Sequence, residues 1–222
     1  MSVSRTLLVL GVLAAIMLVR CEKPIGIPNQ VRMAATTYYA TPPYAESATG
    51  HIDHFDNPPR GVPAYSRDIP TIKWGVDEDP YGENPRANAF SVFEIPYIEN
   101  AESEIWPCTL HYYLRAQSGD PDYRLVVTEL SSDPRTTSDA LLFWDAWYGD
   151  SIAGDITHTS TGWYKIPLSL AACAAITSIS NNFGGGDYYT GWITPDTVDW
   201  GFCLVDGATE NASPYISITT YP

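Results

Sequence analysis

Positive charge is what this chain has least of. Its 222 residues include 12 Lys or Arg against 26 Asp or Glu, a net charge of −14. From Thr136 to Pro222 a single basic side chain, Lys165, faces nine acidic ones. A nucleic-acid binder neutralises phosphates with clustered Lys and Arg, and an anionic membrane surface draws on the same cations. Both partner classes are therefore excluded. Long apolar runs are scarce too. The longest, 13 residues from Leu7 to Val19 behind Arg5, falls short of the roughly 20 needed to span a bilayer. A basic start followed by a short apolar core reads as an export signal over residues 1–21. The chain is expected outside the cytoplasm, secreted or on a cell surface, with the membrane touched only through this segment.

Cysteine is sparse, four in all. A lipidated Cys21 would want a small residue before it, and Arg20 stands there. Cleavage after Cys21, lipidation and retention as an N-terminal anchor all stay open. Export permits disulfides. Cys108, Cys173 and Cys203 are the disulfide candidates, with one bridge and one thiol if Cys21 leaves and three connectivities if it stays. The competing reading makes them small buried hydrophobes.

What the chain has in quantity is aromatic and turn-forming residues, including 15 Tyr, 7 Trp, 18 Pro and 16 Gly. Residues 22–66 read as a Pro-rich arm or linker. Inside it Gln30 to Thr41 has strand character, and Gln30, Val31, Met33, Thr36 and Tyr38 mark a candidate assembly strand. From Ile69 the pattern is β. Strands are expected at Ile69–Val76, Ala89–Ile95, Trp106–Arg115, Asp122–Leu130, Gly162–Leu168, Asp187–Ile193, Asp199–Val205 and Pro214–Tyr221, separated by turn signals. Ala140, Leu141, Trp144 and Trp147 recur at helical spacing after a capping Ser138, which predicts a short helix packed through that face. Leu170 to Ser178 predicts a second helical turn. The expected fold is mainly β: an antiparallel, jelly-roll-like β-sandwich over residues 67–222, with one or two short helices and an extended N-terminal arm.

The run Phe90-Ser91-Val92-Phe93-Glu94-Ile95-Pro96-Tyr97-Ile98-Glu99-Asn100-Ala101, followed by Cys108-Thr109-Leu110-His111-Tyr112-Tyr113-Leu114, resembles the core of DNRLRE-type modules. These are secreted jelly rolls related to a carbohydrate-binding module family. Thr161-Gly162-Trp163-Tyr164 and the apolar turn after it resemble that family's second half. The resemblance covers residues 70 to 221 and implies a secreted β-sandwich that contacts glycans.

Four constellations are candidates for chemistry. Trp144, Trp147, Tyr148, Tyr188, Tyr189 and Trp192 lie near acidic or Gly-rich segments and form a candidate glycan platform, since aromatic faces stack on sugars while Asp or Asn accepts hydroxyls. For each ring the competing role is the core. Asp77, Asp79 and Glu83 make an acidic loop, a candidate calcium site without EF-hand spacing; calcium is the one cofactor considered. His51, Asp53, His54 and Asp56 are competent metal ligands or a solvated loop. Gly149-Asp150-Ser151 and Asp155-Ile156-Thr157-His158 resemble two blocks of an SGNH-type esterase, but they are separated by three residues in a β context.

The expected function is non-enzymatic. One reading is a structural or assembly subunit of a surface fibre or layer, self-associating or pairing with neighbouring surface proteins, with some glycan contact. The alternative is a carbohydrate-binding or adhesive module with polysaccharide as partner. The esterase is a third reading.

Overall fold

The computed structural model describes residues 35–56, 58, 63–76, 85–99, 106–119, 124–194 and 201–221. The export segment, Cys21, the strand residues Gln30, Val31 and Met33, and the acidic loop Asp77, Asp79 and Glu83 lie outside the described residues. Among those described, no helix is long and apolar enough to cross a membrane.

The fold is mainly antiparallel β. Its strands are β1 (Thr36–Ala40), β2 (Thr49–His54), β3 (Tyr65–Asp68), β4 (Ile72–Val76), β5 (Arg86–Ile95), β6 (Cys108–Gly119), β7 (Arg124–Glu129), β8 (Ser151–Thr157), β9 (Gly162–Pro167), β10 (Gly186–Ile193), β11 (Gly201–Val205) and β12 (Tyr215–Thr220). Two helices, α1 (Asp139–Tyr148) and α2 (Leu170–Asn181), and a 3-10 turn at Glu46–Ala48 complete the described elements. The strands follow the order β1-β12-β6-β11-β4-β5-β10-β7-β8, with β2 joining β3 to β5 and β9 joining β6. The two long strands, β5 and β6, each pair with three others, so the sheet curls around an interior as a β-sandwich does.

Alternation explains which side chains enter that interior. On β6, Cys108, Leu110, Tyr112 and Leu114 enter the main core, and Thr109, His111 and Tyr113 lie on the opposite face, where His111 is itself buried. Trp74 of β4, Tyr112 of β6 and Trp192 of β10 meet at the centre, with ring centroids 5.3 to 6.4 Å apart. All three are fully buried. Tyr112 Oη shares a 2.6 Å hydrogen bond with His158 Nε2, itself fully buried. β5 is buried on both faces. Ala89, Phe93 and Ile95 enter the main core, while Phe90 packs in a second cluster with Leu142, Phe143 and Ala146 of α1.

Three expectations are corrected. Residues 22–66 are not an arm throughout, because the sheet begins at Thr36. β1 pairs with β12 in the register Tyr38↔Ile218, and β2 pairs with β5 and β3. Among the described residues, the prolines that suggested a linker sit outside strands: Pro42 and Pro43 follow β1 and Pro63 precedes β3, where a missing N–H costs no ladder bond. Second, Ser151–Thr157, absent from the expected strands, is strand β8 against β7. Third, α1 forms where predicted but turns a different face inward. Leu142, Phe143 and Ala146 are buried, while Leu141 and Trp144 point out. Both stripes are apolar, so spacing alone does not choose between them.

Candidate functional site

The outward face of α1 is the aromatic surface that the sheet holds most firmly. Arg67 on β3 anchors the start of the helix: Nε donates to Asp139 Oδ1 at 2.8 Å, Nη1 to the Pro134 carbonyl at 2.8 Å and Nη2 to the Thr137 carbonyl at 2.7 Å. Two carbonyls later in the helix find sheet partners, as buried helix-end carbonyls must. Asn88 Nδ2 donates to the Phe143 carbonyl at 3.1 Å and Thr128 Oγ1 to the Ala146 carbonyl at 2.8 Å. The helix lies so close that a Cβ at Gly191 would stand 2.8 Å from the Ala146 Cβ.

On this mount, Trp144 and Tyr148 are one helical turn apart. Their rings stack at 5.6 Å and 18°, with Trp144 39% and Tyr148 76% exposed. Trp144 Nε1 donates to Tyr65 Oη at 3.0 Å, and Tyr65 stacks on His54 at 4.6 Å. The result is a strip of four rings, its free end formed by Tyr148. Tyr148 also borders an open groove of about 370 Å³ lined by Glu129, Leu130, Ser131, Asp145, Gly149 and Asp150. Asp145 is committed to its wall, accepting from Ser131 N, Ser131 Oγ and Ser132 N at 2.8 to 3.2 Å. Gly149 allows helix and β7 to meet, since a Cβ there would lie 2.4 Å from the Glu129 carbonyl oxygen. Burial, and then the Asp150 charge, holds the Glu129 carboxyl above its ordinary range. Tyr148 thus stands between its stacked partner Trp144 and a groove with acidic residues in its lining, a pairing that carbohydrate recognition uses.

The structure divides the six platform candidates. Trp144 and Tyr148 form the exposed stack. Trp147 is tied to the sheet by Arg86, whose guanidinium sits 4.7 Å from its ring centroid. Tyr189 is half-buried beside the cluster under α1. Tyr188 and Trp192 are core residues, 2% and 0% exposed, because they alternate inward on β10. Tyr65, His54 and Glu129, which belong to the site, carried no signal in the sequence beyond their residue type.

The remaining candidates are placed as follows. Thr36 and Tyr38 belong to β1, which is already paired with β12, so this part of the assembly strand has its partner inside its own chain. Ser151 is exposed at the start of β8 and His158 is fully buried just past its end. Seven extended residues separate such positions by about 23 Å, so the two do not form a nucleophile–base pair. His51 Nδ1 lies 2.9 Å from the Thr71 carbonyl oxygen, and Lys73 Nζ lies 2.9 Å from Asp53 Oδ1. Burial raises the Asp53 pKa, but hydrogen bonding to His51 and the Lys73 charge outweigh it and hold the group below its ordinary range. Lys73 therefore pairs with one of the carboxylates the sequence offers as metal ligands, and no group of three or more such ligands converges among the described residues. Cys108, Cys173 and Cys203 are buried thiols. The Cys108 N–H donates to Cys173 Sγ at 3.3 Å; the pairing of the two thiols makes Cys173 the easier to ionise and, with burial, makes Cys108 the harder.

No family model matches the chain, and no curated protein matches it. Among solved structures, it is similar to the K1 cleaved adhesin domain of Lys-gingipain from Porphyromonas gingivalis W83, at 9% identity and a TM-score of 0.37, over 84% of this chain and 99% of that one. The K3 cleaved adhesin domain of the same protein gives 12% identity and a TM-score of 0.37, over 84% of this chain and all of that one. At these values neither likeness carries an argument for fold or function. The DNRLRE-type resemblance accordingly rests on its sequence pattern, and the antiparallel β fold is what the structure supports of it.

Proposed function

We propose that this chain is a non-catalytic carbohydrate-binding module working outside the cytoplasm. The observation that carries the reading is the exposed Trp144–Tyr148 stack, whose Tyr148 borders a groove that also includes Asp145 and Asp150. The rings offer flat apolar faces to the C–H side of a sugar, and the exposed Asp150 accepts hydrogen bonds from its hydroxyls. Those carboxylates favour an uncharged glycan. The apolar run Leu7–Val19 supports export. The assembly reading is the weaker one, because β1 is already paired with β12.

The test is titration of the full chain with uncharged soluble polysaccharides, followed by chromatography of the sugar after incubation. Wild type should bind at least one such polymer. Trp144→Ala and Tyr148→Ala should each weaken it about tenfold, equivalent to about 1.4 kcal/mol. Absence of binding across a broad panel, or full affinity in Trp144→Ala, would refute the proposal. Release of shorter sugars would overturn its non-catalytic part.

A further inference from the structure

A second aromatic surface lies on β9, β6, β12 and β1, four strands adjacent in that order. Their inward residues, Tyr38, Leu110, Tyr112, Ile166, Ile216 and Ile218 among them, line the main core. The outward positions carry a row of rings. Tyr39 lies 5.7 Å from Tyr215, which stacks on His111 at 4.4 Å; Trp163 lies 6.0 Å from Tyr215 and 5.7 Å from Tyr113. Tyr39 is 61% and Trp163 53% exposed. At about 4.8 Å between strands, the row extends across about 14 Å.

Two features of this face narrow its ligand. Neither Asp nor Glu occurs anywhere in the four strands, although the chain has 26 of them. Of the two cations on the face, Arg115 is held at one end by Glu210 at 2.7 Å and Asp206 at 3.5 Å. Lys165 stands opposite His111 in the register, where burial and the Lys165 charge lower the pKa of the imidazole. The second feature is that, Pro167 apart, no aliphatic side chain points outward among the rings. Thr37, Thr109, Ser217 and Thr219 fill the other outward positions. Rings alone would suit a protein partner as well as a polysaccharide; the hydroxyls between them and the lack of acidic residues in the four strands separate the two classes. Flat rings set among hydroxyls suit a polyhydroxylated chain.

We propose that this face is a second carbohydrate site, one that takes an acidic polysaccharide laid across the strands on Tyr39, Tyr215 and Trp163, with an anionic group at Lys165. An acidic chain meets Asp145 and Asp150 in the α1 groove, whereas the carboxylates at the end of this face, Asp206 and Glu210, are already paired with Arg115. The net charge of −14 opposes its approach from afar, but charges more than about 8 Å away are largely screened at physiological ionic strength, which leaves the local face to decide. The inference goes beyond the α1 reading and stands on different residues.

The experiment titrates the full chain at physiological ionic strength with polygalacturonate, dextran sulfate and an uncharged β-glucan. Binding of either acidic polymer is expected, and the two arms tell carboxylate from sulfate. Trp163→Ala and Lys165→Gln should each weaken that binding about tenfold and leave any uncharged-glycan binding unchanged. Trp163→Phe and Lys165→Arg should largely restore it, which separates ligand contact from misfolding. Trp144→Ala should leave it intact, so the two sites can fail independently. No acidic-polymer binding by wild type, or binding indifferent to both Trp163→Ala and Lys165→Gln, overturns the proposal. A wild-type dimer abolished by Trp163→Ala also overturns it, by assigning the face to a second copy of the chain.

Discussion

Two tryptophans that look alike in the sequence should behave oppositely when removed. Trp192 is fully buried. Its ring meets Tyr112 edge-on at 5.3 Å and Trp74 at 5.8 Å, and its indole N–H donates to Thr190 Oγ1 at 3.2 Å. An aromatic side chain of this kind buries about 150–250 Å², worth about 4–6 kcal/mol at about 25 cal/mol per Å². Measured Trp→Ala losses run to about 3–5 kcal/mol because the cavity relaxes in part. A domain typically has about 5–15 kcal/mol in total, so Trp192→Ala should fold marginally or not at all. Trp192→Phe keeps one ring and should cost about 1–2 kcal/mol. Trp144→Ala, on the exposed face of α1, should cost less than about 1 kcal/mol while removing the proposed glycan platform. Urea unfolding followed by far-UV circular dichroism measures all three, with the slope against urea checked for constancy. A Trp192→Ala protein within about 1 kcal/mol of wild type would refute the packing argument. So would a Trp144→Ala protein that unfolds as readily as Trp192→Ala.

Three further outcomes follow from the geometry. Gly191→Ala places a Cβ 2.5 Å from Thr128 Oγ1 and 2.9 Å from the Ala146 Cα; α1 must lift from the sheet, at about 1–3 kcal/mol, and a urea midpoint equal to wild type would show that the helix does not rest there. The Asp53 carboxyl is depressed in the fold, so its contribution is present above the ordinary carboxylate range and lost as pH falls through the folded value. The stabilities of wild type and Asp53→Asn should therefore converge in strong acid and diverge toward neutrality, and parallel pH profiles would contradict this. Glu129 has the opposite sign, because its folded pKa is raised: protonation favours the fold, and that advantage is fully present below the ordinary Glu value and lost as pH rises through the folded one. Glu129→Gln should match wild type near pH 4, exceed it in stability at neutral pH, and show no such crossover only if the carboxyl is not desolvated.

How much of this was legible in the sequence depended on whether one strand could be read alone. Alternation placed most strands, β5, β6 and β10 among them, to within a few residues, because their inward residues are apolar whatever they pair with. It did not say which face of a strand is inside, and a one-residue change of face exchanges every side chain. Tyr188 and Tyr189 are neighbours of the same type, yet Tyr188 reaches the main core and Tyr189 lies half-buried on the other side of β10. The same ambiguity holds on α1, where Trp144 is offered both for packing and for glycan contact and lies on the exposed side with Leu141. That helix is oriented by Arg67, Asn88 and Thr128, which come from three different strands.

The ring row on β9, β6, β12 and β1 shows the limit most clearly. Its members, Tyr39, His111, Trp163 and Tyr215, are spread across more than 170 positions of the chain, and register alone brings them together. Taken singly, each ring is best assigned to a core, where large aromatics contribute most. Together they cannot be core, because the inward side of the same strands is already filled by Leu110, Tyr112, Ile166, Ile216 and Ile218. Strands packed inward by aliphatic residues and still carrying a row of exposed rings outward keep apolar surface in water that polar residues would cover without loss of stability. The missing signal was therefore the absence of carboxylates, which any reader of β1, β6, β9 and β12 could count but which means nothing until pairing makes the four strands one face.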